Sequence, residues 1–284
     1  MTRLLTQCAA LTLMSLLAAC GAPHVKEVAH PAPVAGYAAT EDAGFAIPAV
    51  DARLLTDGYK KAEVPYSGDE DPDSIVVDTF ARKLYLVEAG GMATRYGIAV
   101  GREGLSFRGT GVIGRKENWP AWQPTANMVR SRPDLYLQYA GGLAGGLDNP
   151  LGARAMYLYR GGADSHFRIH GTIDNNSIGH ATSAGCIRLF NQDAIELFDR
   201  IKIGTKVKVR TLDESIAAEG AYMDDAYGRA VPDTPENQAK KVKDAAQLAA
   251  AEAANPELAA YDAAARAADE AAKHQAEAAG GSGN

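Results

Sequence analysis

A histidine and a cysteine, each beside a glycine, lie in the stretch Phe167–Leu189. The histidine belongs to F-R-I-H-G-T and the cysteine to S-A-G-C-I-R-L, so the fold has to bring two segments together for their side chains to meet. A thiolate is a strong nucleophile, and an adjacent imidazole can generate it at neutral pH. The sequence therefore predicts an acyl-transfer site with Cys186 as the nucleophile and His170 as the general base.

Three cysteines occur in the chain, and the residues around the first two single out Cys186 for chemistry. Cys8 lies in an apolar N-terminal run with the features of an export signal over residues 1–19. The end of that run, L-A-A-C-G, resembles the lipobox of bacterial lipoproteins, which implies that Cys20 is lipidated and becomes the mature N-terminus. An unpaired cysteine in an oxidising compartment is a hazard unless it is used, and a buried, inert Cys186 is the alternative.

Residues 20–73 are predicted to form a flexible spacer between the lipid anchor and a folded domain. Pro23, Pro31 and Pro33 favour extended, unpacked backbone, and a short helix is expected at most around Ala52–Tyr59. A flexible coil of this length would reach roughly 40 Å on average. A poorly ordered leader without a role in reach is the alternative.

Residues 212–284 differ in composition from the rest and are predicted to form an Ala-rich, low-complexity tail. Alanine favours helix, so Glu236–Ala254 is the best helical fragment, but large apolar residues are too few for a packed seam. Contact with the wall or a partner is the alternative to a solvated tail. The net charge of -6 is spread along the chain and gives no indication of a nucleic-acid partner.

Residues 74–211 carry the strand patterns and are predicted to form one mainly β domain. β-branched and aromatic residues alternate with turn signals along this segment, which is long enough for a single core. The predicted elements are two strands around a turn at Thr79–Lys83, a strand after Gly90 and Gly91, strands Ala155–Arg160 and His166–His170, a helix Gln192–Arg200 capped by Asn191, and a closing strand Lys206–Arg210.

A long, loop-rich insertion interrupts these strands between Arg115 and Gly152. It contains both tryptophans, Trp119 and Trp122, in E-N-W-P-A-W-Q-P. Long loops inside compact domains are usually functional, often as lids or cleft walls. We therefore weigh a lid or cleft wall against tryptophans that only pack the insertion onto the domain.

The pair His166 and His170 could be taken for an H-x-x-x-H metal motif. On a strand the two side chains share a face with Arg168 but lie two pleats apart, and no helix with a carboxylate ligand accompanies them. The sequence therefore predicts no metal site.

The H-G-T and S-x-G-C-I-R-L motifs resemble the L,D-transpeptidase catalytic domain of bacterial cell-wall enzymes, in its YkuD-like, periplasmic ErfK/YbiS-type branch. That family has a His-Gly-Thr strand, a variable stretch, and then Ser-His-Gly-Cys-hydrophobic-Arg. G-T-G-V-I-G-R-K-E-N-W-P-A-W-Q-P and G-G-L-D-N-P-L-G-A-R-A-M-Y-L-Y resemble the region before the histidine, and D-A-I-E-L-F and I-G-T-K-V-K-V resemble the closing helix and strand. The resemblance covers roughly 74–210 and implies a β-sandwich with a few short helices.

The resemblance also implies roles for the residues of the site. Cys186 would be the nucleophile and His170 the proton donor and acceptor, with the backbone carbonyl of Gly171 orienting the imidazole as the third member of the relay. No metal or organic cofactor would be needed.

The loop before the cysteine is expected to complete the site. Backbone N–H groups at Gly185 would face the oxyanion, Ser183 would hydrogen-bond within the loop, and Arg188 would position the donor peptide or stabilise the site's geometry. Ala184 stands where the family usually has histidine, which changes the loop without removing the relay. His180 could replace that imidazole, with an exposed loop histidine as the alternative.

The family's chemistry is acyl transfer on peptidoglycan stem peptides. Cys186 would attack the bond between diaminopimelate and the terminal D-Ala of a tetrapeptide stem, release D-Ala and form a thioester. A second diaminopimelate amine would give a 3-3 cross-link, and an outer-membrane protein would give a wall anchor. Lipid on Cys20 would tether the protein in the periplasm, and Gly21 favours the outer membrane of a Gram-negative bacterium.

Two other functions are compatible with the same sequence. One is an L,D-carboxypeptidase on the same scaffold, with water as the acyl acceptor. The other is a non-catalytic wall-binding lipoprotein, with Ala184 as a sign of decay, although intact His170, Gly185, Cys186 and Arg188 argue against it.

Overall fold

The structure is a computed structural model that describes residues 32–101, 109–182 and 186–255. The sequence features that lie outside these ranges are the export segment 1–19, Cys20, the loop residues Ser183, Ala184 and Gly185, and the end of the tail, 256–284. Within the described ranges, no helix is long and apolar enough to cross a membrane.

Strands dominate the described part of the chain, which confirms the predicted mainly β fold. The strands are β1 (Thr40–Asp42), β2 (Phe45–Ile47), β3 (Ala62–Pro65), β4 (Ile75–Asp78), β5 (Lys83–Glu88), β6 (Met92–Gly97), β7 (Ala99–Gly101), β8 (Gly109–Asn118), β9 (Arg154–Arg160), β10 (Ala163–His170), β11 (Ala181–Thr182), β12 (Ile187–Arg188), β13 (Lys206–Val209), β14 (Tyr222–Asp224) and β15 (Ala230–Pro232). The α-helices are α1 (Ala126–Ser131), α2 (Pro133–Tyr136), α3 (Asn191–Arg200), α4 (Leu212–Glu219) and α5 (Pro235–Ala254).

Eleven of these strands form one hydrogen-bonded sheet in the order β11-β7-β12-β10-β9-β8-β13-β4-β5-β6-β3. The pairs β10–β12, β11–β7 and β13–β4 are parallel, and the other neighbours are antiparallel. One core cluster contains side chains from both halves of the sheet, including Ile75 of β4 and Ile187 of β12, together with Leu197 of α3. Since a flat sheet would hold these strands far apart, the sheet curves around a single core.

The turn predicted at Thr79–Lys83 joins β4 and β5, and the strand predicted after Gly90 and Gly91 is divided into β6 and β7. The division falls at Ile98, whose backbone N–H donates to the carbonyl of Arg82 at 3.0 Å. This change of partner lets β6 pair with β5 while β7 pairs with β12 and β11, beside Cys186, the predicted nucleophile.

The prediction that His166, Arg168 and His170 share one face of their strand is wrong for His166. The register between β9 and β10 shifts between Asp164 and Arg168, and His166 has a backbone φ of 62°. A bulge of this kind breaks the two-residue alternation of side chains. His166 is accordingly exposed while His170 is buried, so the two rings do not form a pair on one face.

The described part of the predicted spacer, 32–73, is packed structure and not an unpacked coil. β3 adds an edge strand to the sheet by pairing with β6. Tyr37, Val50, Leu55 and Tyr59 are buried in a cluster that also contains Ala99, Ile178 and Phe190 of the predicted β domain. The prolines in this segment favoured the prediction of an unpacked coil. The large apolar side chains between them bury enough surface to order the chain. In place of the predicted helix there is one 3-10 turn, Ala52–Leu54.

The first part of the predicted tail is also packed. Helix α4 begins with a capping box at Thr211, and the Ser215 hydroxyl donates to the buried Asp78 carboxylate at 2.9 Å. Glu219 accepts hydrogen bonds from Lys83 at 2.7 Å and from Tyr85 at 2.5 Å, both on β5. These contacts extend the folded domain beyond the boundary predicted at residue 211.

Helix α5 agrees closely with the helical fragment predicted at Glu236–Ala254. Thr234 caps it, with its side chain accepting from the backbone N–H of Asn237, and proline occupies the first turn. Asp244 is the only residue of the helix that is buried, and Val242 is 73% exposed. Its helical form therefore depends on intrinsic propensity and capping more than on packing.

Candidate active site

Adjacent strands carry the predicted nucleophile and base. β10 and β12 run parallel, with Ile169 opposite Ile187 and His170 opposite Arg188. The two isoleucines are 0% and 3% exposed and belong to the core. Because side chains alternate along a strand, His170, Arg188 and Cys186 project to the opposite face. The structure thus places His170 on the strand next to the one that Cys186 immediately precedes, with both side chains directed to the same face.

Backbone hydrogen bonds hold the cysteine at the start of β12. The N–H of Gly101 at the end of β7 donates to the Cys186 carbonyl at 3.1 Å, and Ile187 is paired with Val100. Cys186 itself is half-buried. This backbone hydrogen bond fixes the direction of the residue that precedes β12, while Cys186 remains partly accessible.

His170 is 4% exposed, and its Nδ1–H donates to the backbone carbonyl of Gly171 at 2.6 Å. A carbonyl oxygen can only accept, so this bond places the proton on Nδ1 and leaves Nε2 unprotonated in the neutral ring. Burial, followed by the positive charge of Arg188, lowers the pKa of His170 to about 3, against the opposing effect of the Gly171 and Leu151 carbonyls. The imidazole is therefore neutral near pH 7 and can accept a proton at Nε2.

Arg188 supplies positive charge beside both members of the pair. Burial lowers the pKa of this guanidinium, and its interactions with Asp174, the Cys186 sulfur and Tyr136 oppose that effect. A nearby positive charge favours a thiolate over a thiol and disfavours an imidazolium. The arrangement accordingly favours a negative charge on sulfur beside a neutral His170.

The insertion between Arg115 and Gly152 is anchored by its first tryptophan. The Trp119 indole Nε1–H donates to Asp42 at 2.7 Å, and its ring lies 4.2 Å from that of Phe45, centroid to centroid. Asp42 also binds both terminal nitrogens of Arg154 at 2.7 and 2.8 Å. The N-terminal hairpin β1–β2 therefore fastens the insertion to the strand that precedes the site.

The second tryptophan supports the part of the insertion that reaches the site. Trp122 contacts the rings of Tyr136 and Tyr139, with centroids 6.2 and 6.0 Å away. Tyr136 lies close enough to Arg188 to affect its pKa. The tryptophans therefore pack the insertion onto the domain, and a role of the insertion as a lid or cleft wall stays a prediction.

His180 lies at the edge of the sheet, where its backbone carbonyl accepts from Val100 at 3.0 Å and a β-bridge joins it to Arg229. Burial, followed by the charge of Arg229, lowers its pKa. That His180 replaces the histidine which the family usually has at the position of Ala184 stays a prediction. Among the described residues, no group of three His, Cys, Asp or Glu could hold a metal ion.

Comparison with known proteins identifies the domain that carries this site. The YkuD family, the L,D-transpeptidase catalytic domain, matches residues 72–209. A protein of Fuscovulum blasticum that carries the name of an L,D-transpeptidase is 38% identical over 137 residues, which are 48% of this chain and 68% of the relative. This chain belongs to the L,D-transpeptidase family. The resemblance seen in the motifs is thereby confirmed.

Other relatives of this L,D-transpeptidase domain are longer than the matched region. A Salmonella typhimurium protein named Probable L,D-transpeptidase ErfK/SrfK is 34% identical over 52% of this chain and 48% of its own length, so the match spans about half of it. A solved Brucella melitensis structure, named as a probable carnitine operon oxidoreductase, is 43% identical and covers 56% of this chain and 96% of its own. Its TM-score is 0.39.

Three residues of this L,D-transpeptidase site were not recognised in the sequence. The Leu151 carbonyl acts on His170, Tyr136 lies beside Arg188, and Asn191 bonds to the backbone next to Gly171. Asn191 was predicted to cap α3, but the helix begins at Asn191 itself, after Phe190, without a side-chain cap. No pattern in the sequence indicates that the Asn191 side chain reaches the backbone at these two places.

Proposed function

We propose that this protein is a peptidoglycan L,D-transpeptidase in which Cys186 forms a thioester with a tetrapeptide stem. Its donor is the bond between the L-centre of diaminopimelate, the third stem residue, and the terminal D-Ala. The observation that carries this proposal is the pairing of β10 with β12, which places His170, hydrogen-bonded through Nδ1 to the Gly171 carbonyl, on the strand next to Cys186. Family membership supplies the substrate class.

The reaction proceeds in two half-reactions at the same sulfur. Nε2 of His170 takes the proton of the Cys186 thiol, and the thiolate attacks the donor carbonyl. His170 returns the proton to the leaving amine of D-Ala, which leaves a thioester. The acceptor amine then attacks the thioester and gives its proton to His170, and His170 returns that proton to the sulfur, which leaves as the Cys186 thiol. The Gly171 carbonyl keeps the ring in the tautomer that this sequence of transfers needs.

Other residues of the site have supporting roles in this proposal. Arg188 favours the thiolate and positions the donor peptide, and backbone N–H groups at Gly185 and Cys186 donate to the tetrahedral oxyanion. Ser183 hydrogen-bonds within the loop. Preorganised donors of this kind typically contribute 10²–10³-fold to turnover, on the order of 2.7–4 kcal/mol.

The acceptor and the location belong to the same proposal. An amine of a second stem gives a 3-3 cross-link, and an amine of an outer-membrane protein gives attachment to the wall. Lipidation of Cys20 anchors the protein in the periplasm, with the outer membrane as its site. Cys20→Ser is expected to abolish incorporation of labelled palmitate and detergent-phase partitioning, and a Cys20→Ser protein that still carries lipid would contradict the anchor.

Purified tetrapeptide muropeptides test the proposed activity. The protein is incubated with them, and the products are identified by mass spectrometry. Dimers with release of D-Ala are expected for the wild type. Tripeptide monomers alone would replace the proposal with a carboxypeptidase, and unchanged substrate would contradict catalysis.

Two variants separate the roles in this assay. Cys186→Ala is expected to abolish turnover, and His170→Ala to lower it by about 10²–10⁴-fold, the usual contribution of a general base. Equal turnover in wild type and His170→Ala would contradict the role of the histidine.

A further inference from the structure

The side-chain amide of Asn191 joins two backbone segments that meet behind the site. Its Oδ1 accepts from the N–H of Ala153 at 2.9 Å, and its Nδ2 donates to the carbonyl of Thr172 at 2.9 Å. Asn191 is 8% exposed. One buried amide therefore satisfies a donor and an acceptor on segments that are distant in sequence, at bonding distances typical of strong contacts.

Two glycines make room for this amide. A Cβ at Gly152 or at Gly171 would overlap Oδ1 of Asn191. Gly152 also has a backbone φ of 64°, a conformation that glycine adopts without strain. The amide thus packs directly against the backbone at Gly152 and at Gly171, where no side chain intervenes. Its position therefore constrains the direction of both peptide segments.

Both segments carry a carbonyl that acts on the imidazole. Gly171, which accepts from Nδ1 of His170, precedes Thr172 directly, and Leu151 lies two residues before Ala153. If the amide were absent, Thr172 and Ala153 would each lose a buried partner, and the neighbouring carbonyls would lose their fixed direction.

We propose that Asn191 is a positioning residue of the acyl-transfer site, which holds the backbone carbonyls that orient His170. This inference rests on the proposed function and deepens it, because it assigns to α3 a role beyond packing. Asn191 is the first residue of α3, directly after the N-cap Phe190, so the start of this helix fixes the position of its amide against the backbone behind the site. The charged groups that act on the ring it orients are Arg168 of β10 and Arg188 of the neighbouring strand β12.

The neighbouring residue offers a matched control. Gln192 also donates through its side-chain amide to backbone carbonyls, those of Ala38 at 3.3 Å and Pro48 at 2.9 Å. Those carbonyls belong to the N-terminal flank and not to the segments around His170. Gln192→Ala therefore removes amide hydrogen bonds from the same helix without touching the catalytic backbone.

The test compares Asn191→Ala, Asn191→Asp and Gln192→Ala in the full-length protein. Aspartate keeps the shape and the acceptor for Ala153 but cannot donate to Thr172 in its ionised form, so it covers the case in which alanine prevents folding. The first readout is the rate of iodoacetamide alkylation at Cys186 as a function of pH, followed by peptide mass spectrometry. The second is kcat and KM on tetrapeptide muropeptides.

Both Asn191 variants are expected to lower kcat by about 10–100-fold with little change in KM, as a displaced reacting group does. Their alkylation profiles should move towards that of an isolated thiol, whose pKa is about 8.5, while Gln192→Ala keeps the wild-type profile. Asn191 variants that lose thermal stability but keep the wild-type profile and kcat would overturn the inference. The alkylation readout needs no peptidoglycan, so it decides the inference even if the wild type shows no transpeptidation.

Discussion

Residues 32–65 and helix α5 both flank the family domain at 72–209, yet they relate to it in opposite ways. In the N-terminal segment, Tyr37, Val50 and Tyr59 are 2%, 3% and 6% exposed. In α5, Val242 is 73% exposed. The first segment contains prolines and little regular structure, whereas the second is a long, well-capped helix. A flanking segment therefore packs onto the domain when its large apolar side chains find buried partners. A high helical propensity alone does not attach a helix to the domain.

The N-terminal flank is also joined to the site by polar contacts. The Tyr37 hydroxyl donates to the Asp193 carboxylate of α3 at 3.0 Å and accepts from the Lys61 N–H at 2.5 Å. Asp42 pairs with Arg154, whose carbonyl accepts from the N–H of Gly171 at 3.0 Å. A segment expected to act as a tether is therefore part of the scaffold that supports the site.

Deleting one flank at a time should show the largest difference in stability between the two flanks. A chain that lacks residues 32–65 is expected to be unfolded at 37 °C, because it loses an edge strand and several buried side chains worth about 1.5–3 kcal/mol each. Their sum is comparable with the whole stability of a typical domain, about 5–15 kcal/mol.

A chain that ends after Asp233 provides the matched control for this truncation. It is expected to melt within about 2 °C of the wild type, because α5 buries little surface. Circular dichroism melts check both chains. Equal losses from the two deletions, or a stable chain without 32–65, would contradict the difference between the flanks.

Asp193 tests the buried contact between the N-terminal flank and α3. Burial raises its pKa to about 7, against the hydrogen bond from Tyr37 and the charge of Lys61. Between about pH 4 and 7 the Asp193 carboxyl is protonated in the folded state but ionised in the unfolded state, where its pKa has the ordinary value of 3.8. The free energy of unfolding therefore falls as the pH rises through this range. Asp193→Asn is expected to remove this slope, up to about 1.4 kcal/mol per pH unit, and to be more stable than the wild type at about pH 8.

Urea unfolding between about pH 4.5 and 8 measures this slope for Asp193. A wild type and an Asp193→Asn variant with parallel stability profiles would show that the carboxyl does not titrate in this range.

The ion pair between Asp42 and Arg154 tests the second contact of the N-terminal flank. The side chains are 22% and 8% exposed, and hydrogen bonds from Arg154 are the largest cause of a lowered Asp42 pKa. Asp42→Ala leaves the guanidinium largely buried without its partner, and is expected to cost about 2–4 kcal/mol. Denaturant unfolding measures the loss. Adding Arg154→Met should recover part of it, and a cost below about 0.5 kcal/mol would show that the hairpin β1–β2 does not hold the strand.

The smallest effect is expected at Val242. Val242→Glu places a charge on a side chain that is already solvated, so the free energy of unfolding should change by less than about 0.5 kcal/mol. The thermal midpoint of the full-length protein measures it. A loss above about 1 kcal/mol would reveal a packed surface on α5.

Local patterns were sufficient for much of the fold and for the central pair of the site. β-branched runs predicted β4, β5 and β13. The H-G-T and S-A-G-C-I-R-L motifs predicted that His170 and Cys186 form one site, and the pairing of β10 with β12 is consistent with that prediction. The bulge at His166 was missed because alternation assumes a regular strand.

Contacts between distant segments could not be predicted in the same way. Asn191 has the composition of a helix cap, and only the folded chain shows Ala153 and Thr172 beside its amide. The packing of residues 32–65 likewise depends on partners about 100 residues or more away, such as Phe190 and Asp193.

Acid-quenched reactions with a tetrapeptide muropeptide test whether a neutral His170 activates Cys186 for acylation. Peptide mass spectrometry would follow the thioester at Cys186 at pH values from about 5 to 7. Because the pKa of His170 is about 3, the acylation rate should vary little across this range, and Cys186→Ala should form no adduct. A rate that falls with a midpoint near 6.5, the ordinary histidine value, or an adduct that persists in Cys186→Ala, would contradict the account.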